Sequence, residues 1–103
     1  MQPQLGEVRT ARRDGTRLFR LRGEFDLSNA WKIQDALIEA ISNDQDDIVV
    51  DLADVSFMDA RLLRALVRAR AAARRRDVAF VIVPPKDPDV CRVVRIADFP
   101  LAA

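Results

Sequence analysis

Ile48-Val49-Val50-Asp51-Leu52-Ala53-Asp54-Val55-Ser56-Phe57-Met58-Asp59-Ala60-Arg61 decides how the rest of the chain is read. It opens on a short apolar run rich in β-branched residues, the signature of a buried strand. A polar connection follows, then a second apolar pair, Phe57 and Met58. Asp59 stands directly before a long Ala/Leu/Arg segment, at the position of a helix N-cap. The stretch therefore predicts a strand, a loop and a helix whose N-terminus faces solvent at one edge of a sheet. Free backbone N–H groups and the positive end of the helix dipole make such an edge a natural place for recognition.

Downstream, the helix is expected from about Ala60 to Arg75. Leu62, Leu63, Leu66, Val67, Ala69 and Ala73 recur at helical spacing and form its apolar face. Arg61, Arg64, Arg68 and Arg75 project on the other side, and no acid occurs between Ala60 and Arg76. Such a row is read first as a solvated helix surface and second as a recognition surface. Arg70 falls within the apolar arc and must snorkel or find an acid. Asp77 turns the chain into Val78–Val83, a second continuous apolar run, read as another central strand. Pro84 and Pro85 end it. A short helix follows from Asp87 or Pro88 to Ile96, with Cys91, Val94 and Ile96 as its inner side. Phe99-Pro100-Leu101 suggests a last extended contact.

Upstream, residues 1–6 read as a loose terminus. Glu7–Arg13 is an edge strand, and Asp14-Gly15 is a type I′ hairpin signal, since both central residues need positive φ. Thr16–Arg22 alternates, Leu18 and Arg20 facing one way and Phe19 and Leu21 the other. Gly23-Glu24-Phe25-Asp26 is expected to leave the sheet. Asp26, Ser28 or Asn29 then caps a helix over about 29–42, with Ala30, Ile33, Leu37, Ala40 and Ile41 on its buried face. Residues 43–47 form a polar loop back to the Ile48 strand.

The order is β-β-α-β-α-β-α, with the two apolar strands parallel across a helix. The fold class is α/β: a single domain over 1–103, a mixed four- to five-stranded sheet with an N-terminal β-hairpin, and helices mainly on one face. Seventeen basic residues oppose sixteen acidic ones in 103, for a net charge of +1. That balance implies neither nucleic acid nor insertion into a membrane. One cysteine, Cys91, excludes an internal disulfide and fits a reducing, cytoplasmic setting. With no histidine, Cys–His and Ser–His catalysis and His-containing metal sites are excluded. Asp51 and Asp54 are paired acids without a second cluster, and the glycines are scattered turn residues. No enzyme, cofactor or metal is expected.

The pattern resembles a STAS domain, the fold of bacterial anti-sigma factor antagonists. Leu21-Arg22-Gly23-Glu24-Phe25-Asp26-Leu27 is similar to the family's L-x-G-E-L-D stretch. Ile48–Asp59 is similar to its strand-D-L-x-x-V-x-F-M-D stretch, and Val93–Phe99 to a shortened version of its last segment. The resemblance implies docking of an anti-sigma factor with serine kinase activity, switched by phosphorylation within a D-S-[ST]-G motif. Here Asp59 opens that motif, but Ala60 and Arg61 replace both hydroxyl residues and Leu62 replaces the glycine. The switch therefore has no acceptor at the motif position, and Ser28 and Ser56 are the nearest hydroxyls in this part of the chain.

What carries over is the docking face: Asp26, Ser28, Asp59, Ala60, Arg61 and Arg64. The expected function is a regulatory module that binds an anti-sigma factor or another STAS protein without being phosphorylated there. A different reading makes the chain a STAS-like accessory subunit of an ABC-type transporter. The hairpin edge permits a homodimer, although its charges oppose open edge pairing.

Overall fold

The structure, a computed structural model, describes residues 6–96. Strands β1 (Glu7–Arg13) and β2 (Thr16–Phe25) form an antiparallel hairpin. Helix α1 (Ala30–Glu39) leads through a π-helical turn, Ala40–Asp44, into β3 (Asp47–Met58). Helix α2 (Ala60–Arg75), strand β4 (Phe80–Val83) and helix α3 (Pro88–Ile96) complete the order. The sheet runs β1-β2-β3-β4, with β2, β3 and β4 mutually parallel. The expected α/β class and mixed sheet are both present. The hairpin turn is as read: Asp14 and Gly15 have φ of 53° and 78°.

One face of the sheet is packed and the other is open. Phe19, Leu21 and Phe25 of β2 alternate inward with exposed or half-buried neighbours. Ile48, Val50, Leu52, Val55 and Met58 do the same on β3, and Phe80 and Ile82 on β4. These side chains share a single core with residues from all three helices, including Leu37, Leu66 and Val90. Burying one such side chain contributes about 1.5–3 kcal/mol. An exposed ion pair contributes about 0–1 kcal/mol. The inner face therefore dominates the sheet's stability.

Several expectations need correction. The chain does not leave the sheet at Gly23: Gly23, Glu24 and Phe25 pair with Val55, Phe57 and Met58. Nor does β3 stop at Leu52. Two register shifts, between Arg20 and Arg22 and between Gly23 and Glu24, absorb extra β3 residues and carry the pairing across the polar segment. Asp51 supports the first by accepting from Ala53 N–H at 2.9 Å, while Arg20 meets its other oxygen at 3.3 Å. Local polarity announced a loop, and ladder hydrogen bonding overrode it. The β4 run is an edge strand of the described sheet, and Val81 and Val83 are only half-buried because no layer of described residues covers their face.

Helix faces shift in similar ways. All five positions expected inside on the first helix are buried, Ala30, Ile33 and Leu37 on α1 and Ala40 and Ile41 on the π-helical turn that continues it. On α2, Ala65 and Ala72 join the buried stripe, whereas Leu63 is half-buried and Val67 is exposed. Small residues suit a helix that packs on the sheet and on α1 together. On α3, Val94 is buried as expected, while Val90 is buried and Cys91 only half-buried, so Val90 takes the inner place expected of Cys91. Asp87 starts that helix by accepting from Asp89 and Val90 N–H. The expected contact at Phe99–Leu101 lies outside the described residues, as do the Ile96 side chain and most of the loose terminus.

Candidate functional site

Because β2 and β3 are parallel neighbours, the helices that follow them start at the same edge of the sheet. Phe25 and Met58 are the last paired residues. The next residue on each strand is an aspartate, so the topology sets Asp26 beside Asp59. A hydrogen bond from Asp59 N–H to the Phe25 carbonyl, 3.2 Å, ties the two junctions together. Residues just beyond the carboxyl ends of parallel strands are where α/β sheets present their sites.

The two junctions are built differently. Asp59 is an N-cap of the expected kind: its Oδ1 accepts from Arg61 N–H at 2.8 Å. Asn29 stands at the N-cap of α1 but does not cap it with its side chain. Its Oδ1 instead accepts from Asp26 N–H at 2.9 Å, and its Nδ2 donates to the Glu24 carbonyl at 2.9 Å. Asp26 in turn accepts from both Ser28 N–H and Ser28 Oγ, at 2.8 and 2.7 Å. Of the three capping alternatives, none accepts from a first-turn N–H of α1 with its side chain; the group folds into a tight loop. The Ser28 hydrogen bonds hold the Asp26 carboxyl below its ordinary range, with a smaller contribution from the positive charge of Arg61. Gly6 passes close beneath this loop: a Cβ there would fall 2.6 Å from the Phe25 ring and 2.8 Å from Asn29 Nδ2.

Arg61 projects from the first turn of α2, with Nη1 3.9 Å from Asp59 Oδ2. Arg64 and Arg68 follow along the same side. A groove of about 230 Å3 opens between them and α1, where Leu27, Trp31 and Gln34 form the other wall. Pockets for small molecules run to roughly 300–1,000 Å3 and bury most of their ligand. This groove is smaller and open, which suits a protein side chain better than a cofactor. The structure thus brings Asp26, Ser28, Asp59, Ala60, Arg61 and Arg64 to one edge and adds Leu27, Trp31, Gln34 and Arg68. Arg61, Arg64, Arg68 and Arg75 are all exposed, as their spacing suggested, and the first three also border the groove beside α1. Trp31 did carry a signal, lying off the apolar stripe of its helix. Leu27 carried none.

Other residues singled out in the sequence sit elsewhere. Ser56 lies near the end of β3 beside the first turn of α3, away from the groove. Asp51 supports the β3 bulge, and Asp54 faces Lys86 at 4.0 Å. No group of three or more potential metal ligands occurs among the described residues. Among them, too, no helix is long and apolar enough to cross a membrane.

Comparison with known proteins gives the same architecture. The solved structure of the anti-sigma factor antagonist SpoIIAA in its unphosphorylated form superposes with a TM-score of 0.78 at 17% identity, covering 94% of this chain and 88% of the other. The phosphorylated form of SpoIIAA, a Bacillus cell fate determinant, gives 0.77 at 17% identity, over 94% and 92%. An anti-sigma factor antagonist from Mycobacterium paratuberculosis gives 0.80 at 24% identity, over 94% and 85%. Identities this low show a shared fold. A search of curated proteins finds no significant match. The STAS domain family model matches residues 7–100, nearly the whole chain, and the protein therefore belongs to the STAS domain family.

Proposed function

We propose that this chain is a regulatory binding module of the anti-sigma factor antagonist type. It docks an anti-sigma factor, or another STAS protein, through the edge where α1 and α2 begin, and it acts by binding alone. The observation that carries this reading is the juxtaposition of Asp26 and Asp59, joined through the Phe25 carbonyl, with Ala60 and Arg61 beside them. SpoIIAA, a structural neighbour, occurs in phosphorylated and unphosphorylated forms. A phosphate brings about −1.5 to −2 charges and would disrupt docking beside an aspartate. Neither Ala60 nor Arg61 has a hydroxyl to take one, and Arg61 fixes a positive charge where such a switch would add negative charge. Ser28 is a poor substitute, since its hydroxyl already donates to the Asp26 carboxylate.

The test is a pull-down with anti-sigma factor kinases from the same organism, using wild type, Asp59→Lys and Arg61→Glu. Both variants are expected to lose binding; Arg61→Glu, at an exposed position, should stay within about 0.5 kcal/mol of wild-type stability, whereas Asp59→Lys should also lose about 1 kcal/mol with its helix cap. Wild-type binding by both would remove the assigned face. Incubation with kinase and ATP should leave the chain unlabelled; stoichiometric phosphate on Ser28 or Ser56 would overturn the reading of a fixed state.

A further inference from the structure

The groove between α1 and α2 has a chemistry of its own. Leu27 and Trp31 on one wall are 64% and 59% exposed, large apolar surfaces that the core does not use. On the other wall Arg61, Arg64 and Arg68 recur at one-turn intervals and line up along α2. None of the lining residues is acidic. Arginines on the hairpin meet carboxylates in several places: Arg12 with Asp46, Arg17 with Asp44, Arg20 with Asp51. In the groove, Arg61 reaches Asp59 only at 3.9 Å, and Arg64 and Arg68 make no ion pair among the described residues. Lys32 adds a further cation over the Trp31 ring, 5.7 Å from its centroid. The charges of Arg64 and Arg68 are therefore left without an ion-pair partner among the described residues, beside the exposed apolar surfaces of Leu27 and Trp31.

We propose that this groove takes an acidic segment of a protein partner. One large apolar side chain of that segment sits between Leu27 and Trp31, and its carboxylates face Arg64 and Arg68. The inference rests on the docking reading above and deepens it by naming the chemistry of the partner. Exposed Trp and Arg together are the residue types that carry most interface energy. Charge complementarity supplies orientation and rejects basic partners. A nucleic acid fits less well: the net charge is only +1, and the arginines line one short slot beside exposed apolar side chains rather than a broad basic surface.

The test uses the full chain and three fluorescent peptides: an acidic one with a central leucine, its Asn/Gln counterpart, and an acidic one with a central alanine. A short duplex DNA is the fourth probe. The acidic leucine peptide is expected to bind at low salt and weaken as salt rises. The double variant Arg64→Glu/Arg68→Glu should lose about tenfold or more, and Trp31→Ala about tenfold. Both variants alter exposed side chains, and their circular dichroism should match wild type. Equal binding of the neutral peptide, an unaffected double variant, or binding of DNA in place of peptide would overturn the proposal. If an anti-sigma factor partner is lost with Asp59→Lys but retained by the double arginine variant, the docking edge stands and the acidic segment falls.

Discussion

Asp46 and Asp59 bracket β3, one residue before it and one residue after it, and both meet arginine. Asp46 is 2% exposed. Its Oδ1 accepts from Arg12 Nη2 at 3.0 Å, and its Oδ2 lies 2.8 Å from Arg12 Nε and 3.7 Å from Arg17 Nε. The pairing raises the Arg12 pKa above its ordinary value, through the hydrogen bond first and the attraction second. This cluster clamps the β1–β2 hairpin to the turn that enters β3. At the other end Asp59 is partly exposed, caps its helix and holds Arg61 loosely. The same two residue types serve architecture where water is excluded and remain available for a partner where it is not. A carboxylate that has already given up its water to fixed arginines has little left to offer a ligand. One that keeps its water can exchange it for a partner's donor.

That contrast can be broken first at the buried end. Asp46→Ala removes a charge-assisted hydrogen bond and the ion pairs to Arg12 and Arg17 and should lower stability by about 2 kcal/mol, read as a shift in urea midpoint. Partner binding per folded molecule should be unchanged. A neutral result would mean that the clamp is ornamental. At the exposed end, Asp59→Ala should cost only about 1 kcal/mol, the loss of one cap. Its effect on partner binding should exceed its effect on stability, which calorimetric titration compared with thermal melting would show.

The smallest effect belongs to Asp26. Its carboxyl is held below the ordinary value in the folded state. Its contribution to stability is therefore full above the unfolded pKa, about 3.9. It is lost as pH falls through the lower folded value. Asp26→Asn should flatten the wild-type fall in urea midpoint below about pH 4, by losing at neutral pH the small stabilisation of the ionised carboxyl and converging with wild type in acid. A parallel fall in both proteins would show that Ser28 does not favour the ionised form.

Patterns that repeat along the chain were legible in the sequence. The hairpin turn, the buried stripe of α1, the span of α2 and the Asp59 cap follow from local rules: φ preferences, helical spacing and the orphan N–H groups of a first turn. The junction of Gly23–Asp26 was misread because its polar, glycine-containing stretch looks like a loop, and only pairing with β3 makes it strand. Asp46 was hidden in an acidic run, Asn43-Asp44-Gln45-Asp46-Asp47, where nothing local separates one buried carboxylate from its exposed neighbours. Its partners, Arg12 and Arg17, are 34 and 29 positions away.

The sequence by itself determined the α/β order, the family likeness and the absence of a hydroxyl at Ala60 and Arg61. Side-chain chemistry at a named position needs no coordinates. The tertiary structure alone decided that Asp26 stands beside Asp59 and that the arginines of α2 face Leu27 and Trp31 across a groove. Those neighbours lie on separate elements, and the register of parallel strands, through backbone hydrogen bonds between distant residues, is what brings them together.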